Sequence, residues 1–331
     1  MSFANKNILI TGGLGFIGSA LAKKLVKDGA NVTLVDSLVS EYGGNLHNIE
    51  SIRHKVVVNI SDVRDPVSMA YLLRGQDFLF NLAGQTSHLD SMLNPLTDLE
   101  NNSAAQLSIL ETCRKVNPEV KVVFASTRQI YGKPDYLPVD EGHPLRPVDV
   151  NGINKLSGEM YHKLYQQVYG LRICVLRLTN TYGPGMRVKD ARQTFLGVWI
   201  RKMLEGSPIQ IYGDGLQKRD FNYVDDCVEA FMLCALNESS NGKIYNLGGS
   251  EVISLVELAE LMKLLVSGSR SELIPFPADR KAIDIGDYYG DYSFISSEIG
   301  WKPEISLKKG LLETIDYYKL NRDFYWSSSA S

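Results

Sequence analysis

Asn7 to Gly18, N-I-L-I-T-G-G-L-G-F-I-G, constrains the fold more than any other stretch of this chain. Ile8, Leu9 and Ile10 form a short apolar run of the kind buried in parallel sheets. Gly12, Gly15 and Gly18 follow at three-residue intervals, with Phe16 and Ile17 between the last two, and Ser19 to Asp28 then shows helical periodicity that ends at Gly29. Glycines between a strand and a helix let backbone N–H groups approach a ligand, and the helix N-terminus adds positive dipole, so this turn suits a pyrophosphate. A second apolar run, Val32 to Val35, ends in Asp36. An acid at that distance from the loop accepts hydrogen bonds from the adenosine ribose and repels a 2′-phosphate. Ser37 follows it, and no arginine is there to hold such a phosphate. These residues read as a site for NAD rather than NADP.

The remaining chain agrees with a nucleotide-binding α/β protein. Its 331 residues suffice for one large or two modest domains. A net charge of −3 without a basic run gives no expectation of a nucleic-acid partner. No apolar stretch is long enough to span a membrane, and the chain runs straight into its first strand, leaving no room for a signal peptide. Cys113, Cys174, Cys227 and Cys234 lack C-x-x-C spacing. They read as buried free thiols of a cytoplasmic protein, with no metal site.

Strand-like runs alternate with helical ones through the first half. The strands are Val56 to Ile60, Phe78 to Leu82, Val120 to Ala125 and Arg172 to Leu176; the helices are Pro66 to Arg74, Pro95 to Val116 and Ser157 to Tyr169. Alternation of this kind predicts a Rossmann-type doubly wound parallel sheet, with ligands at the C-terminal strand ends. After Pro184, Gly, Pro and polar residues become more frequent and the helices shorter, with strand-like pieces such as Ile209 to Tyr212. Residues 1–180 are therefore expected to form the dinucleotide-binding domain, and 181–331 a smaller, partly interleaved substrate lobe. The final W-S-S-S-A-S reads as a frayed tail.

Taken together the motifs resemble the extended short-chain dehydrogenase/reductase family, specifically its NAD-dependent nucleotide-sugar epimerases and dehydratases. The resemblance spans nearly the whole chain. It rests on T-G-G-L-G-F-I-G, Asp62-Val63, N-L-A-G (Asn81 to Gly84), Asn102, S-T-R-Q-I-Y-G (Ser126 to Gly132) and L-R-L-T-N-T-Y-G-P-G (Leu176 to Gly185). I-Y-G-D-G-L-Q-K-R-D-F-N-Y-V-D-D (Ile211 to Asp226), Y-N-L-G-G (Tyr245 to Gly249) and I-G-W-K-P (Ile299 to Pro303) complete it. The resemblance implies that Asp62 and Val63 hold the adenine, that Leu82, Ala83 and Gly84 lie by the cofactor, and that Asn102 supports the active site. It implies that Arg219 and Arg280 meet the nucleotide diphosphate and that Asn180 points an amide at the substrate; a surface ion pair for the arginines and a turn-stabilising role for Asn180 are the structural alternatives. It further implies a homodimer built on the two long helices, with Leu99, Leu107, Leu110, Met160 and Leu164 either in that interface or in the monomer core.

One departure matters. The family's chemistry uses a Tyr-x-x-x-Lys pair on one helical face, in which the tyrosine removes a hydroxyl proton and the lysine binds the nicotinamide ribose. Here the segment reads V-D-V-N-G-I-N-K, with Lys155 in place and Asn151 where the tyrosine belongs. An amide has no titration that would make it a general base. His88, His143 or Tyr131 could carry the proton instead; the substrate or a water chain could carry it while Thr127 orients the hydroxyl; or the chain could bind without turnover. Arg128 and Gln129 also stand where relatives that eliminate water, or decarboxylate, place acids, so dehydration is disfavoured. Arg128 could meet an acidic sugar substituent or pair with Asp135 or Glu141.

The expectation is therefore an NAD-dependent enzyme acting on a nucleotide sugar in a UDP-sugar 4-epimerase-like reaction. Thr127 would bind the reacting hydroxyl, Lys155 the ribose, and Asn151 would occupy the base position. Net dehydrogenation or reduction, and a non-catalytic binding homologue, are the alternatives.

Overall fold

The computed structural model describes residues 2–39, 42–192 and 194–326. Of the expected frayed tail, residues 327–331 lie outside the described residues.

The first half runs β1 (Asn7–Thr11), α1 (Phe16–Lys27), β2 (Asn31–Asp36), β3 (Val56–Ile60), α2 (Pro66–Leu73), β4 (Phe78–Asn81), α3 (His88–Leu93), α4 (Pro95–Leu99), α5 (Ala105–Val116), β5 (Lys121–Thr127), α6 (Val150–Tyr169) and β6 (Arg172–Leu178). The second half adds β7 (Asn180–Tyr182), α7 (Phe195–Leu204), β8 (Ile209–Tyr212), β9 (Lys218–Tyr223), α8 (Val224–Leu236), β10 (Ile244–Asn246), β11 (Val252–Ser254), α9 (Leu255–Leu265), β12 (Ser271–Ile274), α10 (Ala278–Lys281), α11 (Ser293–Ile299) and α12 (Leu307–Asn321).

Seven parallel strands form the main sheet in the order β10-β6-β5-β4-β1-β2-β3. Alternate side chains of β1 point to opposite faces. Ile8 and Ile10 join Leu21, Leu25 and Phe231 under α1 and α8, while Leu9 joins Leu79, Phe124, Ile109 and Leu110 under α2, α5 and α6. The chain winds outward in both directions from β1 and β4, so their C-terminal ends, Thr11 and Asn81, flank the crevice where such sheets take ligands. A three-stranded sheet (β11-β9-β7) and a two-stranded one (β12-β8) stand beyond it.

Two elements differ from their sequence pattern. The helix expected from Pro95 to Val116 is interrupted at Glu100–Ala104 by a π-helical turn. There Asn102 turns its amide to Gln85 O (2.9 Å) and Asp98 Oδ2 (3.0 Å), which costs the regular helical spacing and gains a buried polar tie. The helix expected from Ser157 begins instead at Val150, because the Asp149 side chain caps Gly152 N at 2.7 Å. At the other end Gly170, in left-handed conformation, stops it.

The four cysteines are buried and unpaired. Among the described residues no helix is long and apolar enough to cross a membrane, and no group of His, Cys, Asp or Glu could hold a metal ion.

Candidate active site

A cleft of about 380 Å³ lies at the C-terminal ends of the central strands. Its floor is the glycine loop. Gly12 has φ +66°, and a Cβ there would sit 3.1 Å from Ala83 N. A Cβ on Gly18 would come within 2.3 Å of Gly12 O, so α1 can approach the loop this closely only with glycine. Gly15 is the N-cap of α1 and no side chain caps the helix, which leaves its first N–H groups and its dipole for an anion. Phe16 and Ile17, the first two helical residues, line the cleft.

Asp36 also lines it, and its carboxylate accepts from Leu14 N (3.0 Å) and Leu38 N (2.8 Å). Burial raises its pKa, and those two bonds oppose the rise. Asp62 is gripped by Arg64, which holds its carboxyl below the usual range and also pairs with Glu100 at 2.6 Å; Val63 is buried beside it. Leu82 N and Ala83 N both donate to Thr11 Oγ1 at 3.0 Å, which fixes the N-L-A-G segment at the cleft edge. Gly84 leaves room for two groups: a Cβ there would lie 2.6 Å from Asn102 Oδ1 and 2.8 Å from Lys155 Nζ.

Those two groups are underused. Asn102 Oδ1 is buried without a partner among the described residues, and the nearest hydrogen bond of Lys155 Nζ is a long one, 3.4 Å to Ala125 O. Burial lowers the Lys155 ammonium to about 8, against the charge of Asp98, which raises it. A sparsely bonded ammonium in the same cleft as an uncapped helix N-terminus fits the ribose and phosphates of a dinucleotide.

Asn151 lies one turn before Lys155 and lines the same cleft, but it is only 1% exposed. Its Nδ2 donates inward to Asp98 Oδ2 (2.9 Å), Gln85 O (2.9 Å) and Gln85 Oε1 (3.1 Å). The position expected for a base thus holds a structural tie. Of the other proton-carrier candidates, two are withdrawn. Tyr131 is buried, its hydroxyl bonded to Asn246 Oδ1 and Arg177 Nη1 at 2.7 Å each, with burial pushing its pKa up to about 12. His143 is buried with both ring nitrogens on backbone, at Asp135 N (2.9 Å) and Pro144 O (2.8 Å).

His88 is different. Its side chain is 38% exposed and it lines the cleft together with Thr127. Its Nδ1 bonds Asp149 Oδ2, and its Nε2 meets the amide of Gln129. Burial raises the Asp149 pKa, but its hydrogen bonds with His88 and Gly152 N oppose the rise and bring it below its usual value. Thr127 Oγ1 accepts from Gln129 N at 3.3 Å and starts the short helical turn that carries Arg128 and Gln129.

Arg128, Gln129, His88 and Asn180 also line a second cavity of about 260 Å³, which extends the first toward Tyr212 and Phe276. Arg128 packs over the Tyr288 ring at 4.9 Å and donates to Asn180 Oδ1 at 3.2 Å; it forms no ion pair among the described residues. The alternative pairing with Asp135 or Glu141 is overturned, because Asp135 pairs with Arg146 (2.9 Å) and Glu141 accepts from Asn246 N (2.7 Å). Asn180 has both amide ends engaged, its Nδ2 donating to Asp220 O at 3.1 Å. Arg219 bonds Lys218 O and Gly286 O and lies 3.8 Å from Asp284. Burial, and then the charge of Arg128, lower it to about 10, so it stays cationic at neutral pH. Arg280, on α10, lies over the Tyr212 ring at 5.7 Å and lines both cavities. Sequence reasoning missed Asp149: with the helix expected to begin at Ser157 nothing marked it as a cap, and nothing local links it to His88.

Comparison with known proteins gives a consistent picture. A family model described as the NAD dependent epimerase/dehydratase family matches residues 8–248. A putative UDP-glucose 4-epimerase of Methanocaldococcus jannaschii is 36% identical over 95% of this chain and 99% of its own length. UDP-glucuronic acid decarboxylase 1 of Xenopus tropicalis is 34% identical over 95% of this chain and 72% of its own. The crystal structure of UDP-glucuronic acid 4-epimerase from Bacillus cereus, in complex with UDP-glucuronic acid and NAD, superposes with a TM-score of 0.84 at 27% identity, over 95% of this chain and 99% of that one.

Proposed function

This chain belongs to the NAD-dependent epimerase/dehydratase family, and from that premise we propose that it oxidises and re-reduces one carbon of a nucleotide-linked sugar, as a 4-epimerase does. Its cofactor is NAD, which when bound accepts and returns a hydride. The uncapped N-terminus of α1 and the glycine loop take the pyrophosphate, Asp36 the adenosine ribose, and Lys155 the nicotinamide ribose. Thr127 hydrogen-bonds the reacting hydroxyl. Arg219 and Arg280 hold the nucleotide diphosphate in the second cavity. The observation that carries the reading is the continuity of the two cavities through Arg128, Gln129 and His88, which gives a dinucleotide and a nucleotide sugar one meeting point. Arg128 and Gln129 offer no acid to a leaving hydroxyl, which argues for oxidation and re-reduction over elimination. The unpaired guanidinium of Arg128 at that meeting point favours a sugar with an acidic substituent.

A second copy of the chain is the proposed partner. Ile153, Met160, Leu164 and Val168 form an exposed apolar stripe on α6, beside exposed Leu99 and Leu107. Leu110, by contrast, is fully buried and belongs to the monomer core.

Mass spectrometry of the purified protein, followed by product analysis on nucleotide sugars with absorbance at 340 nm, tests the reading. The expected result is bound NAD and an epimerised sugar without net NADH. Net NADH with a keto-sugar would replace it with a dehydrogenase, and bound NAD without turnover on any sugar would replace it with a binding role.

A further inference from the structure

We infer that His88 Nε2 is the proton carrier that stands in for the absent tyrosine, and that Asp149 positions it. The inference rests on the hydride-transfer reading above. The imidazole is held by Asp149 at Nδ1 and lines both cavities.

The tautomer follows from the partners. An ionised carboxylate only accepts, so Asp149 Oδ2 requires the proton on Nδ1. In the neutral ring Nε2 keeps a lone pair, and the Gln129 amide nitrogen faces it as the donor. A substrate hydroxyl held by Thr127 replaces that amide as the donor. When the O–H bond breaks, its proton bonds to Nε2; the electron pair it leaves forms the carbonyl as the carbon-bound hydrogen departs as hydride to the cofactor. Alcohol is oxidised and nicotinamide reduced, and the reverse step returns both to the carbon and oxygen. The protonated ring then carries N–H on both nitrogens. Asp149 balances its charge, and Gln129 Oε1, now buried without a partner, becomes its acceptor by a half-turn of the amide.

Asp149 does a second job that makes the idea testable. Its Oδ1 accepts from Gly152 N at 2.7 Å and caps α6, while Oδ2 holds His88. In Asp149→Asn the cap needs the amide oxygen, and asparagine caps as well as aspartate. The NH2 group must then face His88 Nδ1 and donate to it. The ring proton moves to Nε2, the lone pair leaves the cavity, and the base is lost without loss of the helix.

The experiment has two arms. Nitrogen-15 NMR of the NAD-loaded protein, with His88 assigned through His88→Asn, reads the tautomer: Nδ1–H in the wild type and Nε2–H in Asp149→Asn are expected, and Nε2–H in the wild type would overturn the inference. On a sugar that the wild type turns over, kcat should fall about a hundredfold or more in both variants, with NAD affinity unchanged and the melting temperature of Asp149→Asn retained. Wild-type kcat in His88→Asn would overturn the inference and leave the function standing. A wild type that turns over no sugar would remove the function instead, while the NMR arm still decides the tautomer.

Discussion

The side-chain amide of Asn151 donates to the buried carboxylate of Asp98 at 2.9 Å, and Asn102 and Asn154 donate to the same carboxylate at 3.0 and 2.8 Å. Three amides from two helices thus satisfy one acid under the cofactor cleft. Asn151 is therefore part of the support beneath the site, which has a direct consequence for restoring the tyrosine. Asn151→Tyr removes one donor from Asp98 and two bonds from Gln85, and puts a larger ring into a packed position. We expect a loss of about 2 to 4 kcal/mol from the unmade bonds and the strain. Urea unfolding at pH 7 checks this: the midpoint should drop with the slope unchanged, and an equal or higher midpoint would show that the amide tie is dispensable.

Lys155 gives a pH signature with a definite sign. Burial lowers its folded pKa from 10.5 to about 8. Between those values the unfolded chain binds more protons than the folded one, so stability rises with pH across about 8 to 10.5 and the penalty is complete below 8. At about 1.4 kcal/mol per unit the penalty is at most roughly 3.5 kcal/mol. Lys155→Met should melt higher than wild type at pH 7, lose the rise between pH 8 and 10, and bind NAD more weakly. Thermal melts across that range and NAD titration measure the three effects, and a variant less stable at pH 7 would contradict the assignment.

Most of the cofactor half was legible because its signals are local. Ile8 to Gly18 and Val32 to Asp36 each carry strand, turn and end residue within a few positions, and β1 pairs with β2 in the register those runs imply. The sugar end was not legible because its geometry is made by distant pairs. His88 meets Asp149 across 61 positions, and Asn151 meets Asp98 across 53. The sequence marked His88 and Asn151 as residues of interest, but only the tertiary fold shows that one faces the cavity and the other turns away from it. The π-helical turn at Glu100–Ala104 was hidden for a related reason: helical periodicity continues through it, and the break is driven by what Asn102 reaches.

Arg177 and Glu159 form a buried pair at 2.5 Å behind the Ser126–Tyr131 segment. Glu159 Oε2 also accepts from Ser126 Oγ (2.6 Å), and Arg177 Nη1 donates to Tyr131 OH (2.7 Å), so the pair fixes the strand end that presents Thr127. Arg177→Met leaves a buried carboxylate without its counter-ion, which costs about 3 to 5 kcal/mol. Arg177→Met combined with Glu159→Leu should recover most of that loss, since two apolar groups need no partner. Denaturant midpoints for the single and double variants test it; a double variant as unstable as the single would place the cost in lost packing.

On the proposed function, Arg128 separates substrate choice from substrate anchoring. Its guanidinium lies over Tyr288, donates to Asn180 and has no acidic partner among the described residues, while Arg219 and Arg280 line the second cavity beyond it. A half-buried cation without a counter-ion carries a desolvation cost, and a ligand carboxylate offsets that cost where the chain itself does not. Arg128→Gln keeps a donor for Asn180 and removes the charge. Calorimetric titration of the NAD-loaded protein should then show affinity for a nucleotide sugar with a ring carboxylate falling tenfold or more, about 1.4 kcal/mol or above. Affinity for the nucleoside diphosphate alone should hold, because Arg219 and Arg280 remain. If both ligands weaken equally, Arg128 belongs to the diphosphate site and the acidic sugar loses its support. If neither changes, its charge plays no part in binding, and the cost of burying it is met by the Tyr288 face and the surrounding dipoles.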